Sequence, residues 1–157
     1  MSSTAMHVAT VLLVALVMGT TLAHALEMPA KMRVSGSFWV ECQHTLYRFF
    51  RYIGGPIEVA AVLISAALAY FTFGRSAFGA SLIASILLII AFVVWAVVTE
   101  RVNRRVAKWT AADIPRDWER WRTRWEYSHL VRFLLHFVAF ASSVVANPHA
   151  RATSLTD

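Results

Sequence analysis

Four long apolar stretches dominate the chain, at about 6–26, 56–73, 78–99 and 129–146. A helix needs roughly 20 mostly apolar residues to cross about 30 Å of hydrocarbon, and each stretch approaches that length. The second opens on Gly54-Gly55-Pro56 and closes at Gly74. The third carries no charge over Leu82–Val98, and the fourth ends at Asn147-Pro148. Open strands would leave their edge groups unmet in lipid. The pattern therefore predicts an all-α fold: one integral membrane domain over 1–157, built as a four-transmembrane-helix up-down bundle.

The connectors differ in length. Gly74-Arg75-Ser76-Ala77 makes a tight turn between the second and third stretches, whereas about 27–55 and 100–128 are long. Short interfacial helices are predicted in both. Trp39, Leu46, Phe49, Phe50 and Ile53 recur at helical spacing within 38–53. Within 115–127, Trp118, Trp121 and Trp125 share one face while Arg116, Arg120 and Arg124 share another. Tryptophan favours the headgroup level, so these faces are expected to cap the bundle. A tryptophan platform for a substrate is the alternative.

Composition agrees with a lipid-embedded chain. Of its 157 residues 58% are hydrophobic and only 15% charged, against about 25% charged in soluble domains. The single cysteine, Cys42, excludes an internal disulfide and any multi-cysteine metal cluster. No GxSxG, CxxC or phosphate-cradling glycine loop is present. A pI of about 10.2 raises nucleic acid as a partner, but the distribution of charge argues against it. Twelve Lys and Arg lie in the long connectors, two (Arg75 and Arg151) lie at the other end, and Arg132 falls inside the fourth stretch. The positive-inside rule then places the long connectors in the cytoplasm and both termini outside. Anionic membrane lipids become the expected counter-charge. A cleavable leader ending at Ala23-His24-Ala25 competes with the first span. The length of the stretch and the lack of a preceding Lys or Arg favour a retained helix.

Polar groups at bilayer depth are costly and are functional candidates. The first stretch ends His24-Ala25-Leu26-Glu27 and the fourth begins Glu126-Tyr127-Ser128-His129. Residues three apart on a helix are neighbours. The two motifs are reversed, but so are the helices that carry them, so both histidines should reach similar depth. Glu58 and Glu100 lie at the same end of the second and third stretches. A carboxylate from each of two helices and a His–Glu pair from each of the other two is the ligand inventory of di-iron bundles. His24, Glu27, Glu58, Glu100, Glu126 and His129 are therefore candidate ligands for a mono- or dinuclear iron, copper or manganese site. Glu41 and His44 repeat the spacing. A metal-free proton-transfer cluster and ordinary helix-end ion pairs are the competing readings. Haem held between His24 and His129 is a further alternative. On the fourth helix, Arg132 is a candidate oxyanion anchor or a structural partner of Glu58 or Glu100. His136 is a candidate proton-transfer group or a packing residue. Asn103 and Trp109 are expected at the mouth, and Ser65, Ser81 and Ser85 between helices.

The stretches His24–Met32, Gln43–Arg48 and Asp117–Arg132 resemble the small four-helix membrane proteins grouped with the anthrone oxygenases. The resemblance implies oxidation of polycyclic anthrones by molecular oxygen. It marks His24, Glu27, Trp118, Arg124, Trp125, Glu126, His129 and Arg132, and it implies no agreed cofactor. The expected function is thus a membrane oxygenase or oxidoreductase for a lipophilic substrate, either metal-dependent or base-assisted. The competing functions are a haem-binding membrane protein and a non-catalytic four-helix subunit of a membrane complex; a homo-oligomer or a membrane-protein partner is a separate expectation.

Overall fold

The computed structural model describes residues 3–146; Asn147-Pro148 and Arg151 lie outside the described residues. The elements are α1 (Ser3–Lys31), α2 (Gly36–Thr45), α3 (Phe50–Phe71), α4 (Phe78–Val94), a π turn (Trp95–Thr99), α5 (Glu100–Val106) and α6 (Trp118–Val145). The chain is an all-α four-helix bundle. α1 packs on α3 and α6, and α4 packs on the same two, so neighbours in sequence are neighbours around the ring. Four helices are long and apolar enough to cross a membrane: Thr4–Lys31, Tyr52–Phe71, Phe78–Val106 and Trp118–Val145. The chain is therefore an integral membrane protein.

Outward positions such as Leu12, Leu16, Leu63, Ile83 and Leu134 are exposed, as helices facing lipid require. Inside, Val14, Val17, Ala61, Ala84, Leu88 and Ala139 make the membrane core. Ser65, Ser81 and Ser85 are buried between the helices. Small side chains let backbones approach closely where lipid gives no hydrophobic drive between helices.

Three of the spans run well past the hydrocarbon, since 28 or 29 residues make about 42 Å of helix. This corrects the expected layout of the second connector. Residues 118–127 are not a separate interfacial helix; they are the first turns of α6. No glycine or proline stands between Asp117 and Ala146, so nothing interrupts the hydrogen-bond ladder. The third span likewise continues through the π turn to Val106. In the first connector α2 ends at Thr45, and the remainder of the expected 38–53 helix joins the second span after a break at 46–49.

The overhanging turns build a second core at the connector end. Trp39, Val40, Val102, Val106 and Trp125 are buried there, with Trp109, Trp118 and Trp121 packed against them. The tryptophan faces thus cap the bundle. Arg122 donates to the carbonyls of Lys31 and Val34 at 3.3 and 3.0 Å, meeting carbonyls left over where α1 ends. Gly36 sits under the ring of Trp118, and a Cβ there would lie 2.9 Å from it. Gly36→Ala is expected to push Trp118 out of the cap and cost about 1–3 kcal/mol. A fall in the detergent-solubilised melting temperature, with intact helical circular dichroism, checks this.

Candidate active site

A cavity of about 450 Å³ opens between α1, α3, the π turn and α6 at the connector end. Val17, Phe50, Trp95, Val106 and Trp125 give it apolar walls, and His24, Glu58, His129 and Arg132 line it as well. That size and mixture suit a small-molecule site.

Each polar group is aimed by its helix. His129, Arg132 and His136 lie at i, i+3 and i+7 on α6, one face, and all three are buried. The rings of His24 and His129 are in contact, with centroids 4.2 Å apart. Trp125 packs on both, at 4.9 and 4.2 Å. One turn deeper, Arg132 Nη2 donates to Glu58 Oε2 at 2.6 Å. Arg132 Nη1 lies 3.5 Å from His129 Nδ1. A guanidinium has donors only, so Nδ1 accepts and the proton of a neutral His129 sits on Nε2. His136 Nδ1 lies 3.2 Å from Thr21 Oγ1, whose own hydrogen points to the α1 carbonyls of Val17 and Met18. His136 Nδ1 therefore donates, and Nε2 faces Glu58 Oε1 at 3.5 Å.

Above the histidines lies a second charged layer. Lys31 Nζ meets Glu126 at 3.0 Å and Glu27 at 3.4 Å. It also lies 3.5 Å from His24 Nδ1 and sits over the ring of Trp125 at 4.7 Å. Trp39 Nε1 donates to Glu126 at 3.3 Å, and Tyr47 Oη donates to Glu27. Burial, reinforced by that hydrogen bond, pushes the Tyr47 phenol above its ordinary range, so it remains a donor. Burial also raises the Cys42 thiol, which makes it a poor nucleophile.

The structure thus brings His24, His129, Glu58, Arg132 and His136 together, but it does not gather the carboxylates around a shared point. Glu126 and Glu27 are held by Lys31, and Glu58 by Arg132. Glu100 pairs with Arg104 at 3.1 Å and accepts from Asn103 at 3.3 Å. Among the described residues no group of three or more His, Cys, Asp or Glu is placed to hold a metal ion. The expected carboxylate-rich iron, copper or manganese site does not fit this donor set, because Lys31, Arg132 and Arg104 already pair with its carboxylates. A haem between His24 and His129 does not fit either, since rings in contact leave no slab for a porphyrin. Asn103 lines the cavity, as does His44, whose Nε2 lies 3.1 Å from the Val106 carbonyl. Trp109 packs in the cap instead.

Several site residues are not among the sequence candidates. Lys31 falls four residues after Glu27 and seven after His24, on their face, a signal that was available. Thr21 and Trp39 carry no such signal. The π turn has none either; it brings Trp95 and Thr99 to the cavity wall and lets Thr99 hydrogen-bond Ser128 at 2.9 Å. Such turns recur at functional sites.

No curated protein and no solved structure matches the chain. The anthrone oxygenase family profile matches residues 44–142. That stretch contains Glu58, Glu100, Glu126, His129, Arg132 and His136, while α1 with His24 and Lys31 precedes it. With the match covering well over half of its length, the chain belongs to the anthrone oxygenase family.

Proposed function

We propose that the protein is a membrane-embedded oxygenase that binds a lipophilic anthrone-like substrate in the cavity and oxidises it by base-assisted chemistry. One observation carries the reading. Eight buried side-chain polar atoms lack a hydrogen-bond partner among the described residues, and four of them are Glu58 Oε1, His129 Nε2, Arg132 Nε and His136 Nε2. Native structures leave few such atoms, and a bound substrate oxygen and a transferable proton would satisfy this set.

In this reading a ring CH₂ flanked by two aromatic rings, conjugated to a ketone, gives a proton to Glu58. His136, braced by Thr21, shares that proton across the Nε2–Oε1 gap. The ketone oxygen gains the negative charge as the enolate forms. Arg132 and the Nε2–H of His129 stabilise it. The enolate then passes electrons to dioxygen and forms a C–O bond. Protonation by the Glu58–His136 pair gives a hydroperoxide. Loss of the second ring-carbon proton and departure of hydroxide leave the quinone and water, so one O₂ is consumed per quinone formed. The apolar walls admit the substrate from lipid between helices.

The test is O₂ uptake and quinone formation by purified protein in lipid nanodiscs given a hydroxyanthrone. The expected result is one labelled oxygen in the quinone from ¹⁸O₂, at a rate well above protein-free nanodiscs. A rate equal to that control overturns the proposal. Elemental analysis of the active preparation should show no stoichiometric metal, and chelators should leave the rate unchanged. Activity lost to a chelator and regained with one metal would instead establish metal dependence.

A further inference from the structure

A second hollow, of about 390 Å³, lies outside the oxygenase cavity and is lined by Arg101, Arg104, Arg105, Lys108 and Trp109. The four cations fall at i, i+3, i+4 and i+7 of α5 and the turn after it, so they share one face. All four are exposed. Arg105 is fixed by stacking on Trp121 at 4.3 Å. Arg104 is braced from the buried side by Glu100 at 3.1 Å. Among the described residues Arg101 and Lys108 have no acidic partner. The position matters as much as the charge. α5 continues the third span without a break, so its basic face emerges where the apolar run ends, at headgroup depth.

We propose that this hollow holds the phosphodiester of an anionic phospholipid. Two cations with no acidic partner, one held by stacking and one by an ion pair, and a tryptophan beside them form a basic recess at the membrane surface. Arginine's planar fork suits phosphate oxygens, and tryptophan suits the glycerol level. The inference is independent of the chemistry in the large cavity.

The probe is phosphatidylglycerol, with phosphatidylcholine as control, added to the full-length protein in mixed micelles. Native mass spectrometry reads retained lipid and thermal unfolding reads stabilisation. Wild-type protein is expected to retain phosphatidylglycerol selectively and to melt higher with it. An Arg101→Gln/Lys108→Gln variant should bind it at least roughly tenfold more weakly, at about one unit of lipid attraction per removed charge. Both side chains are exposed, so its lipid-free melting should match wild type. An Arg101→Lys/Lys108→Arg variant should keep binding. Equal retention of the two lipids, or undiminished retention by the glutamine variant, overturns the proposal. So does an equal thermal shift from millimolar inorganic phosphate, which would mark a free-anion site.

Discussion

Arg132→Ala is expected to destabilise the protein by about 3–5 kcal/mol and to abolish measurable quinone formation. The stability effect follows from burial. Arg132 and Glu58 are 5% and 4% exposed, and their charges meet at 2.6 Å. Removing the guanidinium leaves a carboxylate deep in the bundle with only His136 beside it. Breaking such a pair costs far more than the pair itself contributes, because the lone charge remains desolvated. The same logic makes the double variant informative. Glu58→Met with Arg132→Met removes both charges and fills the space. It should recover most of the lost melting temperature while staying inactive. Arg132→Lys keeps the charge and the Glu58 contact but cannot also reach His129, because one ammonium replaces a fork. It should fold normally and turn over about 10²–10³ more slowly. Thermal unfolding in one detergent, paired with oxygen uptake, separates these outcomes. If Arg132→Ala melts with wild type, the pair is hydrated and the buried-charge argument fails.

The common depth of His24 and His129 was legible because two reversals cancel. The His24/Glu27 and Glu126/His129 motifs run in opposite order on antiparallel helices, and the packing of α1 on α6 then brings the two rings into contact. The partners of the carboxylates were not legible. Lys31 reads as one more connector charge until α1 is seen to continue past Pro29 and carry it over Trp125. The boundary of α6 failed for a related reason. Charge density in Trp118–Tyr127 suggested a helix lying on the membrane, but long basic side chains reach the interface from an upright helix just as well. The π turn at Trp95–Thr99 lies in an apolar run with no glycine, proline or charge. It packs against α6, a contact the local sequence does not signal.

One physical arrangement ties the site together. Cations bracket the two histidines from both ends, Lys31 at the connector side and Arg132 at the membrane side. A pair of imidazoles so placed is a poor cage for a divalent metal and a good receptor for an oxygen anion. Glu58, the base in the proposed reaction, lies beyond Arg132, on the far side of the same guanidinium. A substrate ketone near His129 and a ring carbon near Glu58 therefore feel opposite charge, which is the polarisation that enolate formation requires.

His129→Ala is the direct test of that polarisation. Loss of one preorganised donor to an oxyanion lowers turnover by about 10²–10³. His24→Ala should also slow turnover, because the His24 ring holds the His129 ring at 4.2 Å. Groups that act as a unit are not additive, so the double alanine variant should be little slower than His129→Ala alone. The decisive substitution is His129→Gln, whose amide presents an N–H near the Nε2 position. If His129 donates, glutamine restores a substantial part of the rate, and the pH dependence of kcat is the same as in wild type, because the base is elsewhere. If glutamine is as slow as alanine and the acid limb of the profile disappears in both, His129 is itself the base, and the roles assigned to it and to Glu58 must be exchanged.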